Sequence, residues 1–347
     1  MLYYVDLVAG SRSSRAEALP SGWMRWQTQL QTRTERYLTW RSRRKLRRKL
    51  RQQRRNVILD WAEAIGSAIL IVLLINQFLF QAYQIPSESM VPTLLVGDRI
   101  FVNKLVYGPE LVPGRAKIAG IREPRRGDVV VFENPRYFPL SPVMDVLQRV
   151  IYMATLSFVD IDTDELGQPR HHFLIKRAVG VPGDRVRVQR GEVEISVAGV
   201  GEWIGERQLM VDLDLPHRVQ RLFPVEAYDD LRQASLSRVW AAAGVGVIAG
   251  QASALARVEP LRYQDYFSTN QWFAEGRFQM QPHLARLRTD WQELHYGWSI
   301  PPDRIFPMGD NRDDSLDARA FGPVRIQKVL GQALFHYWPP SRWGGIR

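Results

Sequence analysis

Apolar residues run almost unbroken from Trp61 to Phe80 (WAEAIGSAILIVLLINQFLF) and predict a helix of membrane length. Such a run rises about 30 Å, the depth of a hydrocarbon core. Glu63, Asn76 and Gln77 fall near its ends, where water or headgroups reach them. We place a transmembrane helix at residues 57–82. Beyond it the pattern shortens to β-branched runs, Asp98–Asn103 (DRIFVN) and Asp128–Phe132 (DVVVF), each opening after glycine. His172–Val181 and Arg185–Gln189 come next, parted by the turn signal Pro182-Gly183-Asp184, and Ala333–Trp338 closes the series. Residues 201–300 are rich in Arg, Gln and Ala and read as helical near 226–242 and 280–295. Residues 142–158 carry a shorter apolar, roughly helical pattern suited to packing on the core or to a membrane surface. The expected fold is mainly β: an antiparallel β-sheet core with a large α/β insertion, preceded by one N-terminal transmembrane helix. The expected boundaries are a basic N-terminal segment 1–56, the span 57–82, the first part of the β core 83–200, the insertion 201–300 and the last part of the core 301–347.

Charge orients this layout. The net charge of +11 is concentrated in residues 41–55 (RSRRKLRRKLRQQRR), which hold ten Lys or Arg and no acid. A run of this kind suits nucleic acid. Here an apolar span follows at once, and cytoplasmic flanks of spans collect Lys and Arg. The N-terminus is therefore expected in the cytoplasm, the chain after about residue 82 on the far side, and no nucleic-acid partner is expected. A cleaved signal peptide does not fit, because the run begins only at Trp61 with no small-residue cut site after it. The chain has no cysteine, which excludes disulfides, zinc–thiolate sites and cysteine nucleophiles.

Candidate chemistry sits just beyond the span. Residues 85–95, Ile-Pro-Ser-Glu-Ser-Met-Val-Pro-Thr-Leu-Leu, set two serines between two prolines. A serine hydroxyl is a weak nucleophile until a base takes its proton. Lys176, in His-His-Phe-Leu-Ile-Lys-Arg-Ala-Val-Gly, is a candidate base. Alternation places it on one strand face with Leu174. Only a neutral lysine can accept a proton, so burial or nearby cations must pull its pKa down from about 10.4. On residue type alone, a surface lysine with its stem laid on apolar neighbours is the commoner outcome.

Three stretches resemble the signature regions of bacterial type I signal peptidases, the leader peptidases: Ile85–Leu94, Ile175–Asp184 and Gly309–Arg319 (GDNRDDSLDAR). Gly127-Asp128 and the tail Ala333–Pro340 are similar to that family too. The resemblance covers roughly residues 57–190 and 300–347. It implies a serine endopeptidase that removes signal peptides with a Ser–Lys dyad. Ser89 would be the nucleophile and Lys176 the general base. Ser87 would help the Ser89 N–H hold the oxyanion, and Ser315 would orient the amine. Asp317 and Arg319 would form a supporting pair, and Asp310 and Asn311 a turn bringing Ser315 inward. Tyr83, Ile85, Leu94, Ile100, Val131, Leu174 and Ile175 match pocket-lining positions, each of which alone reads as ordinary core. Glu88 departs from the family, which commonly has a small residue there, and it bears on substrate approach.

The resemblance also implies the partners. These are preprotein signal peptides with small residues at −1 and −3, the phospholipid bilayer, and the protein secretion machinery as a further candidate. It implies a single-pass protein of the bacterial inner membrane with its β core on the extracytoplasmic side. No cofactor or metal is expected. The acids of 309–319 resemble a calcium loop only weakly, since arginines are interspersed. His171 and His172 are adjacent and cannot face one metal from a strand.

Overall fold

The structure, a computed structural model, describes residues 22–53, 57–112, 116–137, 148, 151–152, 155, 172–246, 249–261 and 265–346. The chain divides into two compact units, Met1–Ser67 and Ala68–Arg347. In the first, helix α1 (Gly22–Gln53) carries most of the basic run, and its described side chains are exposed. Helix α2 (Val57–Phe78) begins in the first unit and ends in the second. Most of its apolar side chains stay exposed, Ile58, Trp61, Ile65 and Leu70 among them. With a mean hydropathy of 2.1, it is among the described residues the one helix long and apolar enough to cross a membrane.

The apolar run outlasts the helix. Phe80 opens strand β1 (Phe80–Gln84), which pairs antiparallel with β2 (Arg99–Asn103) and sets Tyr83 opposite Ile100. The span expected over 57–82 therefore stops as a helix at Phe78. From Gln81 to Tyr83 the side chains are buried in sheet, so hydropathy alone ran past the change of element.

Short strands β3 (Glu110–Val112) and β4 (Ala116–Lys117) pair with each other. The main sheet then gains β5 (Val129–Glu133) and β6 (Phe173–Gly180). A second sheet takes β7 (Arg185–Gln189), β8 (Glu192–Ser196), β9 (Trp203–Gly205) and β10 (Trp298–Ser299). Strands β11 (Arg304–Met308), β12 (Val324–Arg325), β13 (Val329–Trp338) and β14 (Gly344–Gly345) complete the main sheet. Its order is β1-β2-β13-β5-β6-β11-β12, with β14 on β13, and the second sheet runs β10-β7-β8-β9. Among the described residues every pairing between named strands is antiparallel, as short strands separated by turns predict.

Strand β6 lies between the apolar clusters of the core. One cluster beside it gathers Tyr83, Ile85, Met90, Leu94, Ile100, Val102, Val129 and Val131, with Ile175 packed against it. Another gathers Val130, Phe132, Ala178, Ile305 and Val329, with Leu174 against it. A third joins Val179, Phe306 and Met308 of the main sheet to Val186, Val188 and Ile195 of the second.

Between β9 and β10 the chain is helical: α3 (Glu206–Asp212), α4 (Tyr228–Ala242), α5 (Ala249–Val258), α6 (Tyr266–Met280) and α7 (Ala285–Tyr296). The sequence anticipates α4 and α7 and misses α5 and α6. Helix therefore outweighs strand among the described residues, which corrects the expectation of a mainly β chain. The antiparallel core itself stands. Most of the apolar pattern at 142–158 falls outside the described residues.

Strand β13 lies between β2 and β5, and Gly331 allows it. A Cβ there would lie 2.5 Å from the Asn103 carbonyl oxygen and 2.7 Å from Val102 Cγ1. Overpacking of this kind costs about 1–3 kcal/mol. Gly331→Ala is expected to lower the thermal midpoint in detergent accordingly, and an unchanged midpoint would show that the sheet yields there at no cost.

Candidate active site

The site assembles where β6, the turn after β1 and the segment after β11 meet. On β6, Lys176 stands opposite Val130 of β5. Leu174 and Ala178, two positions either side of it, pack in the same apolar cluster as Val130 and Phe132. The lysine is only 3% exposed. After β1, Ser87 leads into a 3-10 turn, Glu88–Met90, whose last residue is buried among Tyr83, Ile85 and Leu94. That anchor leaves Ser89, 8% exposed, aimed at β6. Lys176 Nζ donates to Ser89 Oγ across 2.6 Å. The two residues the sequence singled out, 87 positions apart, are in direct contact.

The segment after β11 fastens the serine from behind. The Asn311 N–H donates to the Ser89 carbonyl at 3.1 Å, and Asn311 Nδ2 to the Glu88 carbonyl at 3.3 Å. Gly309 lies against the same carbonyl: a Cβ there would sit 2.5 Å from Ser89 O and 2.2 Å from Ser315 Oγ. Only glycine lets the strands and the serine turn approach this closely. Ser315 packs against Gly309. Its hydroxyl is buried without a hydrogen bond of full geometry, and the carboxylate it faces is Asp317. The expected bond from Ser315 to the lysine amine is not formed here. Ser87 Oγ lies 3.4 Å from Ser89 Oγ, on the exposed side of the turn, and Glu88 is exposed beside it.

Two buried guanidinium–carboxylate pairs flank the lysine. Arg177 Nε and Nη2 donate to Asp310 Oδ1 and Oδ2 at 2.8 and 2.7 Å, and Thr93 Oγ1 donates to the same Oδ2 at 2.5 Å. Arg319 Nε and Nη2 donate to Asp317 at 2.9 and 3.0 Å, and the Gly309 N–H adds a bond at 3.0 Å. Asp310 and Asp317 are thus each held by arginine and by a further hydroxyl or backbone N–H donor.

These contacts set the charge states. Burial alone would raise the Asp317 carboxyl, but Arg319, the Gly309 N–H and Ser315 hold it below its usual range. Burial pulls Lys176 down to about 8 from 10.5, against the opposing pull of Asp317 and Asp310. A low lysine pKa does not by itself mark a base. Burial also lowers Lys117 to about 8, yet that amine donates to the backbone carbonyl of Val329. Contact with a hydroxyl is what separates the two.

Of the expected pocket positions, Tyr83, Ile85, Leu94, Ile100 and Val131 are buried in one cluster, with Ile175 against it. Leu174 packs instead in the other cluster. Sequence reasoning missed Arg177, Thr93 and the buried pair Arg312–Glu206. Arg177 had a signal, since it is a second consecutive cation inside an apolar strand. Its partner lies 133 positions away and was not legible.

The chain is similar to known proteins over most of its length. A profile of the family "Signal peptidase, peptidase S26" matches residues 58–338. The chain is 29% identical over 274 residues to signal peptidase I of Pseudomonas aeruginosa, covering 79% of this chain and 66% of that protein, just under two thirds of its length. It is 26% identical over 270 residues to signal peptidase I of Buchnera aphidicola subsp. Schizaphis graminum, covering 76% and 69%. A shorter stretch of 83 residues is 47% identical to signal peptidase I of Aquifex aeolicus, covering 24% and 26%. A buried lysine set against a serine, on an antiparallel sheet behind an apolar helix, thus lies within the matched stretch, and the chain belongs to the signal peptidase family, peptidase S26.

Proposed function

We propose that this chain is a membrane-anchored signal peptidase I, a serine endopeptidase that removes signal peptides from exported preproteins with a Ser89–Lys176 dyad. The observation that carries the reading is the 2.6 Å contact between Nζ and Oγ at a buried site. In the protonated state the amine donates to the serine. Once neutral, it offers a lone pair along the same line, and the serine O–H donates into it.

The serine oxygen then attacks the scissile carbonyl while its proton passes to Lys176. The carbonyl oxygen becomes an oxyanion, which the Ser89 N–H and the Ser87 hydroxyl would receive. Collapse breaks the C–N bond, and the ammonium returns the proton to the leaving amine. Water repeats the cycle on the acyl-enzyme with the amine again as base. Ser315 is assigned to orienting that amine, and Asp310, Asn311, Asp317 and Arg319 to holding the segment that carries it.

The substrate reading comes from the sheet. Among the described residues strand β1 pairs only with β2, at the end of the main sheet, and an extended chain would add along its other edge. Such a chain sends alternate side chains into pockets, which suits small residues at −1 and −3. Tyr83, Ile85, Leu94, Ile100, Val131, Leu174 and Ile175 would shape those pockets. Helix α2 would anchor the enzyme in the bacterial inner membrane, with α1 cytoplasmic and residues beyond the span outside. The expected segments 83–200, 201–300 and 301–347 then correspond to core, insertion and core.

Three outcomes test this. Incubated with a model preprotein in detergent or lipid, the parent should cut it, and Ser89→Ala and Lys176→Ala should each lose about 10³-fold or more in turnover; near-normal turnover in either overturns the dyad. Turnover should rise with pH through about 8 as Lys176 loses its proton. A flat rate across that value would mean another group is the base. Stability should move the other way on substitution. The folded pKa of about 8 lies below the ordinary 10.5, so the buried amine destabilises the fold fully below pH 8 and not at all above 10.5. Lys176→Met should therefore be more stable than the parent at neutral pH by about 3 kcal/mol. The gap should close as pH rises past 10.5.

A further inference from the structure

The helical insertion grips the segment that fastens the serine. Glu206, the first residue of α3, is buried, and its Oε2 and Oε1 accept from Arg312 Nη1 and Nη2 at 2.5 and 2.7 Å. Arg312 Nε in turn donates to the Gly309 carbonyl at 2.8 Å, and the Arg312 carbonyl accepts from Arg319 at 2.6 Å. Beside this pair the main chains meet. The Gln220 N–H donates to the Asp310 carbonyl at 2.8 Å, and the Arg312 N–H to the Gln220 carbonyl at 3.0 Å. Asp313 accepts the N–H groups of Leu222 and Phe223 at 2.5 and 2.8 Å. Phe223 is buried with Tyr228, Leu231, Val258 and Trp272 in the core of the insertion. An unbroken path thus runs from the insertion's helices, through 220–223, to Asp310–Asp313 and the Ser89 carbonyl.

Burying two opposite charges is a poor way to gain stability, since apolar residues of equal volume often serve as well. A bidentate pair does fix position and angle. We propose that Glu206 is a positioning residue of the active site, holding Gly309 and the 310–317 turn against Ser89 and Lys176 through Arg312. This rests on the Ser89–Lys176 reading. It gives the insertion a role in the reaction, although none of its residues touches the serine or the lysine among the described contacts.

The test compares the full chain with Glu206→Ala, Glu206→Gln and, as a control, Arg257→Ala, which removes an exposed pair with Asp230 on the insertion's surface. On the folded fraction, Glu206→Ala should lower kcat by about 10²-fold, the scale of a small misplacement of reacting groups. KM should stay unchanged, Glu206→Gln should recover part of the loss, and Arg257→Ala should match the parent. The pH midpoint of kcat should also move, because Asp317, Asp310, Arg319 and Asp314 set the charge around Lys176. A normal kcat with lower stability would reduce the pair to a structural fastener. A raised KM with normal kcat would make the insertion a substrate contact. Either result overturns the proposal. Should the alanine variant not fold, Glu206→Gln decides alone, and a kcat equal to the parent's sinks the idea.

A second readout needs no activity. Amide hydrogen exchange across 309–315 should quicken in the Glu206 variants while β6 and β13 keep their protection, and unchanged exchange there overturns the proposal. If the parent cuts no preprotein, the functional reading fails, and the exchange result still decides the brace.

Discussion

The burial of one amine, which lowers its pKa to about 8, is the constraint around which the second unit is arranged. A lysine in an apolar strand tends to lose its proton. Two carboxylates close by, Asp310 and Asp317, would give it back if they stood alone. Each is held by a guanidinium, Arg177 or Arg319. Desolvation remains the largest influence on the lysine, Asp317 and Asp310 pull against it, Arg319 offsets part of that pull, and the amine falls to about 8. Arg319 therefore does electrostatic work as well as structural work.

Geometry depends on the same segment. Asp310 and Asp317 lie on either side of the turn that carries Ser315, and Asn311 between them binds the carbonyl of Ser89. The charge around Lys176 and the placement of Ser89 are thus built from one stretch of chain. Gly309 sets how close that stretch can come. A side chain there would push both Ser315 and the serine turn outward. The Thr93 hydroxyl on Asp310 ties the far end of the serine turn into the same network.

Legibility tracked the range of the interaction. Ser89, Lys176 and the 309–319 segment stand out because each lies in a dense local pattern. The antiparallel strands were readable because short β-branched runs lie between turn signals. The pairs Arg177–Asp310 and Arg312–Glu206 span 133 and 106 positions, and no local pattern joins them. Helix α6 escaped for a different reason. It buries Ser268, Ala274 and Gly276 beside Trp272, so small and polar residues fill its inner face and the apolar period vanishes. The end of α2 was misplaced because Leu79 and Phe80 keep the hydropathy high while the backbone has already turned into sheet.

A lysine base also constrains where such a site can stand. A histidine can serve in water near neutral pH, whereas a lysine needs a dry pocket before it can accept a proton. Ser89 and Lys176 are nearly enclosed by protein, yet Ser87 and Glu88 on the neighbouring turn positions are exposed. The site is thus dry on the amine side and open on the side of Ser87 and Glu88. An extended peptide laid along that opening would cover the exposed serine face and exclude the remaining water. Substrate binding would then complete the desolvation that the fold begins, and the amine would lose its proton most readily when a chain is in place to be cut.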